Sequence, residues 1–372
     1  MTIKTKLEPI ESTVDPPPKQ MVQVSRNQIK SQVDPPPPKI FDKGGGFVEI
    51  SSKNYLKRAN IAGVSLNGGT LLLDPRDIYV RDSSKSGYTL TSNLSDVDSF
   101  NDGTNALYQV NSSTIETALT AGTNVILQAR QDIFIESDII ATGSSGGDLT
   151  LNAGVDINIS ADITTANGDL NLIANNASIT SRGTSHSDID VTSTLNLGSG
   201  DLNITLGNVS SGDSNNVHLG LATINANNIT LTDSGTGSNT SRVSVLGDLN
   251  ASSAINVTST NKRVNVGGAS LTANGTGTAV DITSQYLSGN GGSVSTPNGI
   301  WRATNTDTSS NGARFGGFTG NFIQYGYSSG DAILGTGSGL LSAYDPGNLY
   351  KNCLLYTSPS PRDQRGSRMP SS

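Results

Sequence analysis

The sequence predicts an all-β protein, a parallel β-helix (solenoid) with turns of roughly 20 residues. Three observations lead there. Hydrophobic residues make up only 34% of the 372 residues and aromatics only 5%, while glycine reaches 42. A compact globule would have a thin core at that composition, since such domains usually hold about 45–50% apolar residues. A solenoid needs only a narrow apolar column along its axis.

The second observation is local. Short runs place apolar residues on alternate positions, as in Ile133-Phe134-Ile135, Leu149-Thr150-Leu151, Ile157-Asn158-Ile159, Leu170-Asn171-Leu172 and Leu202-Asn203-Ile204. The pattern continues through Ile229-Thr230-Leu231, Ile255-Asn256-Val257, Val264-Asn265-Val266 and Val280-Asp281-Ile282. Period-two alternation is the signature of a half-buried strand, and no stretch shows a sustained helical period.

The third is repetition. Gly-Asp-Leu-Thr-Leu at 147–151 returns as Gly-Asp-Leu-Asn-Leu at 168–172, a spacing of 21, and as Gly-Asp-Leu-Asn-Ile at 200–204. Asp-Ile-Phe-Ile at 132–135 returns as Asp-Ile-Asn-Ile at 156–159, a spacing of 24. One such unit cannot bury its own apolar face, but copies stacked ~4.8 Å apart can. Leu149 and Leu170 are expected inward, one above the other, with Thr150, Asn158 and Asn171 outward. Gly, Asn and Asp at the corners supply left-handed backbone. About eleven turns are expected between residues 46 and 291, a rod of roughly 50–55 Å.

Four segments follow in order. Residues 1–43 carry two Val-Asp-Pro-Pro-Pro elements, with Pro16 to Pro18 and Pro35 to Pro38. Such prolines favour extended polyproline II, read here as a disordered linker in preference to a ligand for an aromatic groove. Residues 44–291 form the β-helix repeats. Residues 292–352 gather Trp301, Phe315, Phe318, Phe322, Tyr325 and Tyr327. They are expected to make an aromatic, Gly-rich β cap or the start of a next module, with a sugar-binding face as the other reading.

Residues 353–372 break the texture. From 353 to 363 they resemble the forward-frame translation of a transposase-type sequencing adapter. Residues 367–372 resemble the flow-cell end of the same adapter, and Gln364, Arg365 and Gly366 fall where a sample barcode sits. The tail, with Cys353, the only cysteine, is therefore expected to be foreign to the fold and to make no stable contact with it. Disulfides, Cys-ligated metal and a thiol nucleophile are then excluded from the rest.

The net charge is −7. Residues 1–45 hold seven basic and five acidic side chains and 353–372 hold three and one, which leaves 46–352 at −11. An acidic rod argues against a nucleic-acid partner, which requires a basic stripe. No apolar stretch approaches the ~20 residues of a membrane helix. Residues 1–30 lack the apolar core of a signal peptide, so export is expected to be directed from outside this chain.

Candidate chemistry is sparse. His186 and His218 are the only histidines. Ser185-His186-Ser187-Asp188 invites a nucleophile–base–acid reading, but a triad needs spatial order and not adjacency. Asp132, Asp148, Asp156, Asp162, Asp169, Asp188 and Asp201 recur with the turns. They read as corner residues in preference to a calcium site or the acidic cleft of a lyase, for which Arg130 and Arg182 are the nearby bases. The glycine clusters at 44–46 and 289–292 are not phosphate loops, since no Gly-Lys-Ser/Thr follows. No catalytic, cofactor-binding or metal residues are assigned, and no cofactor is expected.

Four stretches resemble the filamentous haemagglutinin-like exoproteins of two-partner secretion. They are GGGFVEISSK at 44–53, GGTLLLDPRDIYV at 68–80, the GDLTLNAGVDINISADITTANGDLNL block at 147–172, and FGGFTGNFIQY with ILGTGSGLL between 315 and 341. The resemblance implies a right-handed parallel β-helix, secreted through an outer-membrane partner pore and displayed on or shed from the bacterial surface. It implies adhesion or contact with host or neighbouring-cell glycans or proteins, without catalysis. The amino-terminal secretion domain of that family is not recognisable in 1–43, so the chain is expected to be an internal segment. The alternative function is a carbohydrate-active β-helix, a lyase, hydrolase or carbohydrate-binding module.

Overall fold

A computed structural model describes residues 2–4, 46–51, 69–74, 77–82, 107–176, 186–207, 214–220, 222–234, 242–309, 313–314, 318–345 and 354–356. The Pro-rich elements and most of the tail lie outside these residues. The described chain is nearly all strand, with parallel sheets stacked as a β-solenoid.

Each turn visits three faces in a fixed order. Face A takes Asn124–Ala129, then Leu149–Ala153, Leu170–Ala174 and Leu202–Leu206, all parallel and in register. Face B takes Ile133–Ile135, Ile157–Ile159, His186–Val191 and Ser214–Leu219. Face C takes Ile139–Ile140, Ile163–Thr164 and Leu195–Asn196. Further along, single strands run round corners: Thr223–Asp233 serves faces C and A, and Asp248–Val266 serves all three.

Face A stacks nine strands between residues 46 and 291, fewer than the eleven turns expected. On face A, Val125, Leu149, Leu170, Leu202, Ile229, Ile255 and Val280 sit one above another, at spacings between 21 and 32 residues. The 21-residue repeat is the shortest of these, because other turns carry extra residues between strands.

Alternation fills the core as expected. Leu149, Leu151, Leu170, Leu172, Leu202 and Ile204 are buried, as are Ile133, Ile135, Ile157 and Ile159. Thr150, Asn158, Asn171 and Asn203 stand outward and half-buried. The outward amides form their own ladder, with Asn171 Nδ2 donating to Thr150 Oγ1 at 3.4 Å and Asn203 Nδ2 donating to Asn171 Oδ1 at 3.0 Å. Stacking identical side chains one rise apart makes such ladders cheap in geometry.

The glycines of the Gly-Asp-Leu repeat serve close approach and not left-handed backbone. A Cβ on Gly168 would lie 2.1 Å from the carbonyl oxygen of Gly147, and one on Gly200 would lie 2.1 Å from that of Gly168. Left-handed corners fall elsewhere, at Ala166, Asn167 and Asn175 and at glycines such as Gly143 and Gly198.

Among the described residues one helix interrupts the strands, a feature the periodicity did not predict. Ser112–Thr120 buries Ile115, Ala118 and Leu119, and Asn111 caps it by accepting the Ser113 N–H at 3.1 Å. Three apolar inward positions in nine residues, beside the buried Ser112, are too few to register as a sustained helical period. The helix takes the place of a face C strand beneath Ile139–Ile140. Its Glu116 Oε1 and Thr120 Oγ1 accept the N–H groups of Ile140 and Thr142 at 3.1 and 3.0 Å. Side chains thus satisfy a sheet edge that would otherwise be open.

The far end departs from simple winding. Gly299–Asn305 continues face A above Gly277–Ser288. The next strand to be added beside it is Gly339–Ser342, and Phe322–Tyr325 pairs outside that one. Trp301, Phe318 and Phe322 are buried here, with the Trp301 and Phe318 rings 5.8 Å apart. Leu354–Tyr356, from the tail, pairs antiparallel with Phe322–Tyr325. The expectation that the tail makes no stable contact with the rod is corrected to the extent of this one pairing: an open edge accepts backbone from any extended segment, whatever its origin.

Candidate functional site

The repeated aspartates sit at the corners between faces. Before face B, Asp156 N donates to Asp132 Oδ1 at 3.1 Å, Asp188 N to Asp156 Oδ1 at 2.8 Å, and Asn216 N to Asp188 Oδ1 at 2.9 Å. Before face A, Asp148 N donates to Asn124 Oδ1, Asp169 N to Asp148 Oδ1 and Asp201 N to Asp169 Oδ1, all within 2.8–2.9 Å. Before face C, Asp162 N donates to Asp138 Oδ1 at 3.0 Å and Thr194 N to Asp162 Oδ1 at 2.9 Å. Each carboxylate accepts the corner N–H one turn further along. The aspartates therefore spread over three edges, and among the described residues no group of three His, Cys, Asp or Glu side chains is placed to hold a metal ion.

Only part of the Ser185–Asp188 motif falls within the described residues. His186 begins a face B strand, Ser187 turns inward at 5% exposure, and Asp188 is bonded to both the N–H and the Nδ2 of Asn216. Ser185 and Arg182 lie outside the described residues. Arg130 follows the Asn124–Ala129 strand, half-buried.

His218 has a partner that sequence reading missed. Asp190 and His218 occupy the same outward position on successive face B strands, and Ser244 takes it on the next. Asp190 Oδ1 lies 3.3 Å from His218 Nδ1, close but outside hydrogen-bond alignment. Acid, imidazole and hydroxyl are thus in column order, 28 and 26 residues apart. Among the described residues no hydrogen bond joins Ser244 to His218. In-register strands stand about 4.8 Å apart, and a serine hydroxyl, carried on Cβ, has little reach along a neighbouring imidazole. The column is an Asp–His contact beside a serine, without the nucleophile–base bond that acyl transfer needs.

Face B carries a second cluster near the helix-capped end. Tyr79 and Phe134 stack at 4.5 Å, Arg81 lies 4.6 Å from the Tyr79 ring centre, and its guanidinium pairs with Glu136 at 2.5 and 2.9 Å. Both ring and guanidinium are spent on each other, which suits surface cohesion.

A third cluster is inside the rod. Lys262, at the corner between faces A and B, is fully buried, and its Nζ lies 3.0 Å from Asp233 Oδ1. Ser259 Oγ donates to Asp233 Oδ2 at 2.9 Å. Asp233 begins a polar change in one inward column of face A. That column reads Ala129, Ala153, Ala174 and Leu206 below, then Asp233, Ser259, Ser284, Asn305 and Ser342 above, all at 3% exposure or less. Ser284 Oγ and Asn305 Nδ2 have no hydrogen-bond partner. The signal was present in the sequence, since Ile229, Leu231 and Asp233 share one parity.

Near the far end, Asp281 and Arg302 are neighbours on the outward side of face A. Burial raises the Asp281 carboxyl above its ordinary range, against the opposing pull of Arg302, and burial lowers the Arg302 guanidinium. Arg302 also donates to the Gly337 carbonyl.

The fold defines a parallel β-solenoid. No protein-family model, curated protein or solved structure matches the chain.

Proposed function

We propose that the chain is a structural or adhesive segment of a large secreted bacterial surface protein, a β-helical stalk for cell contact or attachment. The observation that carries it is the ladder arrangement. Corner carboxylates and outward amides both spend their hydrogen bonds on the adjacent turn, so the side chains that repeat serve length and regularity. Each added turn extends reach by ~4.8 Å. The resemblance at 44–53, 68–80, 147–172 and 315–341 supports a filamentous haemagglutinin-like exoprotein, with an outer-membrane two-partner secretion pore as export partner and surface glycans or proteins as targets. Among the described residues no helix is long and apolar enough to cross a membrane.

The test applies the purified chain to pectin, alginate and other acidic polysaccharides, reading ultraviolet absorbance and reducing ends, and to immobilised cells and glycans, reading retention. Retention without turnover is expected. Turnover that disappears when Arg130 or Arg182 is replaced would overturn the stalk and establish the lyase alternative.

A further inference from the structure

The buried pair of Lys262 and Asp233 has a chemical future that a surface pair lacks. Both side chains are sealed, at 0% and 1% exposure, with amine nitrogen and carboxyl oxygen 3.0 Å apart. They belong to successive turns, on Thr223–Asp233 and Asp248–Val266, 29 residues apart in sequence. We propose that Lys262 and Asp233 condense into an intramolecular amide, a covalent staple between two turns of the rod.

Four features of the site favour this reaction. Two charges taken out of water carry a desolvation cost that a neutral amide removes. Contact fixed by the fold replaces a bimolecular encounter, and the reacting groups are already adjacent. Ser259 Oγ donates to Asp233 Oδ2 at 2.9 Å, where negative charge grows as nitrogen adds to the carboxyl carbon. Ser284 Oγ and Asn305 Nδ2, which lack partners, continue the same inward column above Ser259 and can receive the water released.

The step balances without any added reagent. One proton passes from the Lys262 ammonium to Asp233 Oδ1, leaving amine and carboxylic acid. The nitrogen lone pair forms the N–C bond to Cγ. The C–Oδ1 bond breaks, and the departing hydroxyl takes a second proton from nitrogen to leave as water. Nothing is oxidised or reduced, and the enclosed site withholds the bulk water that would reverse the reaction.

The full chain is denatured and its mass measured, then digested and mapped. The expected mass is lower than that of the sequence by one water molecule, with a branched peptide joining Asp233 to Lys262 and no tryptic cleavage after Lys262. Lys262→Met abolishes the deficit and the branched peptide, and Ser259→Ala leaves a larger unreacted fraction at early times. The wild-type measurement needs no variant to fold. Full sequence mass with the two peptides recovered separately, or a deficit that persists in Lys262→Met, would overturn the proposal.

Discussion

The backbone N–H of Asp188 donates to the side-chain Oδ1 of Asp156 at 2.8 Å, across 32 residues of sequence and a single turn of the rod. The same relation recurs on all three corners, and it makes an aspartate of one turn the cap for the strand above it. Removing the acceptor leaves a partly buried N–H unsatisfied, which costs about 1–3 kcal/mol. Asp156→Ala is expected to lower the chemical-denaturation midpoint by that amount. Asp156→Asn, which keeps Oδ1, is expected to lose under about 0.5 kcal/mol. Equal losses for the two would show that the acceptor is not what matters.

Inward and outward positions should differ sharply. Leu149 and Leu170 are stacked and fully buried. Replacing either with Asp buries an unpaired charge, at a cost of several kcal/mol. Thr150→Asp or Asn171→Asp disturbs only the outer ladder, at about 1 kcal/mol or less. Thermal unfolding of the four single variants checks this, and greater sensitivity at the outward positions would reverse the register.

Gly168→Ala is expected to destabilise by about 1–3 kcal/mol, because the new Cβ meets the Gly147 carbonyl oxygen and the strands must part. Gly143 has open space around its Cβ position, so its alanine variant reports backbone strain alone. Comparing the two midpoints separates collision from conformation.

Asp281 makes a pH prediction. Burial raises its carboxyl in the fold, with Arg302 pulling the other way. Between the ordinary carboxylate range and that raised value the folded chain holds more protons than the unfolded one, so this group's contribution to stability falls as pH rises. Asp281→Asn should therefore gain on the wild type as pH climbs from below the ordinary range towards neutrality, then level off. Denaturation midpoints at a series of pH values give the difference. A gap that widens towards acid would contradict the assigned cause.

Deleting residues 353–372 removes, among the described residues, one short strand paired at an edge, Leu354–Tyr356. A shift of about 1 kcal/mol or less is expected in thermal unfolding. A large loss would mean that the tail is integral to the rod.

Much of this architecture was legible because a solenoid repeats its physics. Leu149-Thr150-Leu151 and Leu170-Asn171-Leu172 announce strand, parity and spacing together, and the structure pairs them residue for residue. The corner aspartates were legible as corners, though not as donors' partners one turn away, because a hydrogen bond across 21–32 residues leaves no local pattern. The helix was missed because nine residues with three apolar inward positions look like any polar loop. Asp190 and His218 were missed because register, not sequence distance, brings them together. Lys262 lay in a polar corner, Thr260-Asn261-Lys262-Arg263, where nothing but the enclosing turns could show it buried.

The strand Gly339–Ser342 lies between two strands that both precede it, Gly299–Asn305 and Phe322–Tyr325. Order along the rod and order along the chain therefore part company at this end. A chain delivered amino end first can settle the face A turns from Asn124 to Asn305 as they emerge, each on the finished surface of the last. Residues 322–325 cannot do so, since their neighbour has not yet been made. At roughly 5–20 residues per second the interval is on the order of a second, during which Phe322 has no place to bury its ring. The last move in building this rod is an insertion and not an addition, and any chaperone or pore that handles the growing chain must keep that seam open until it arrives.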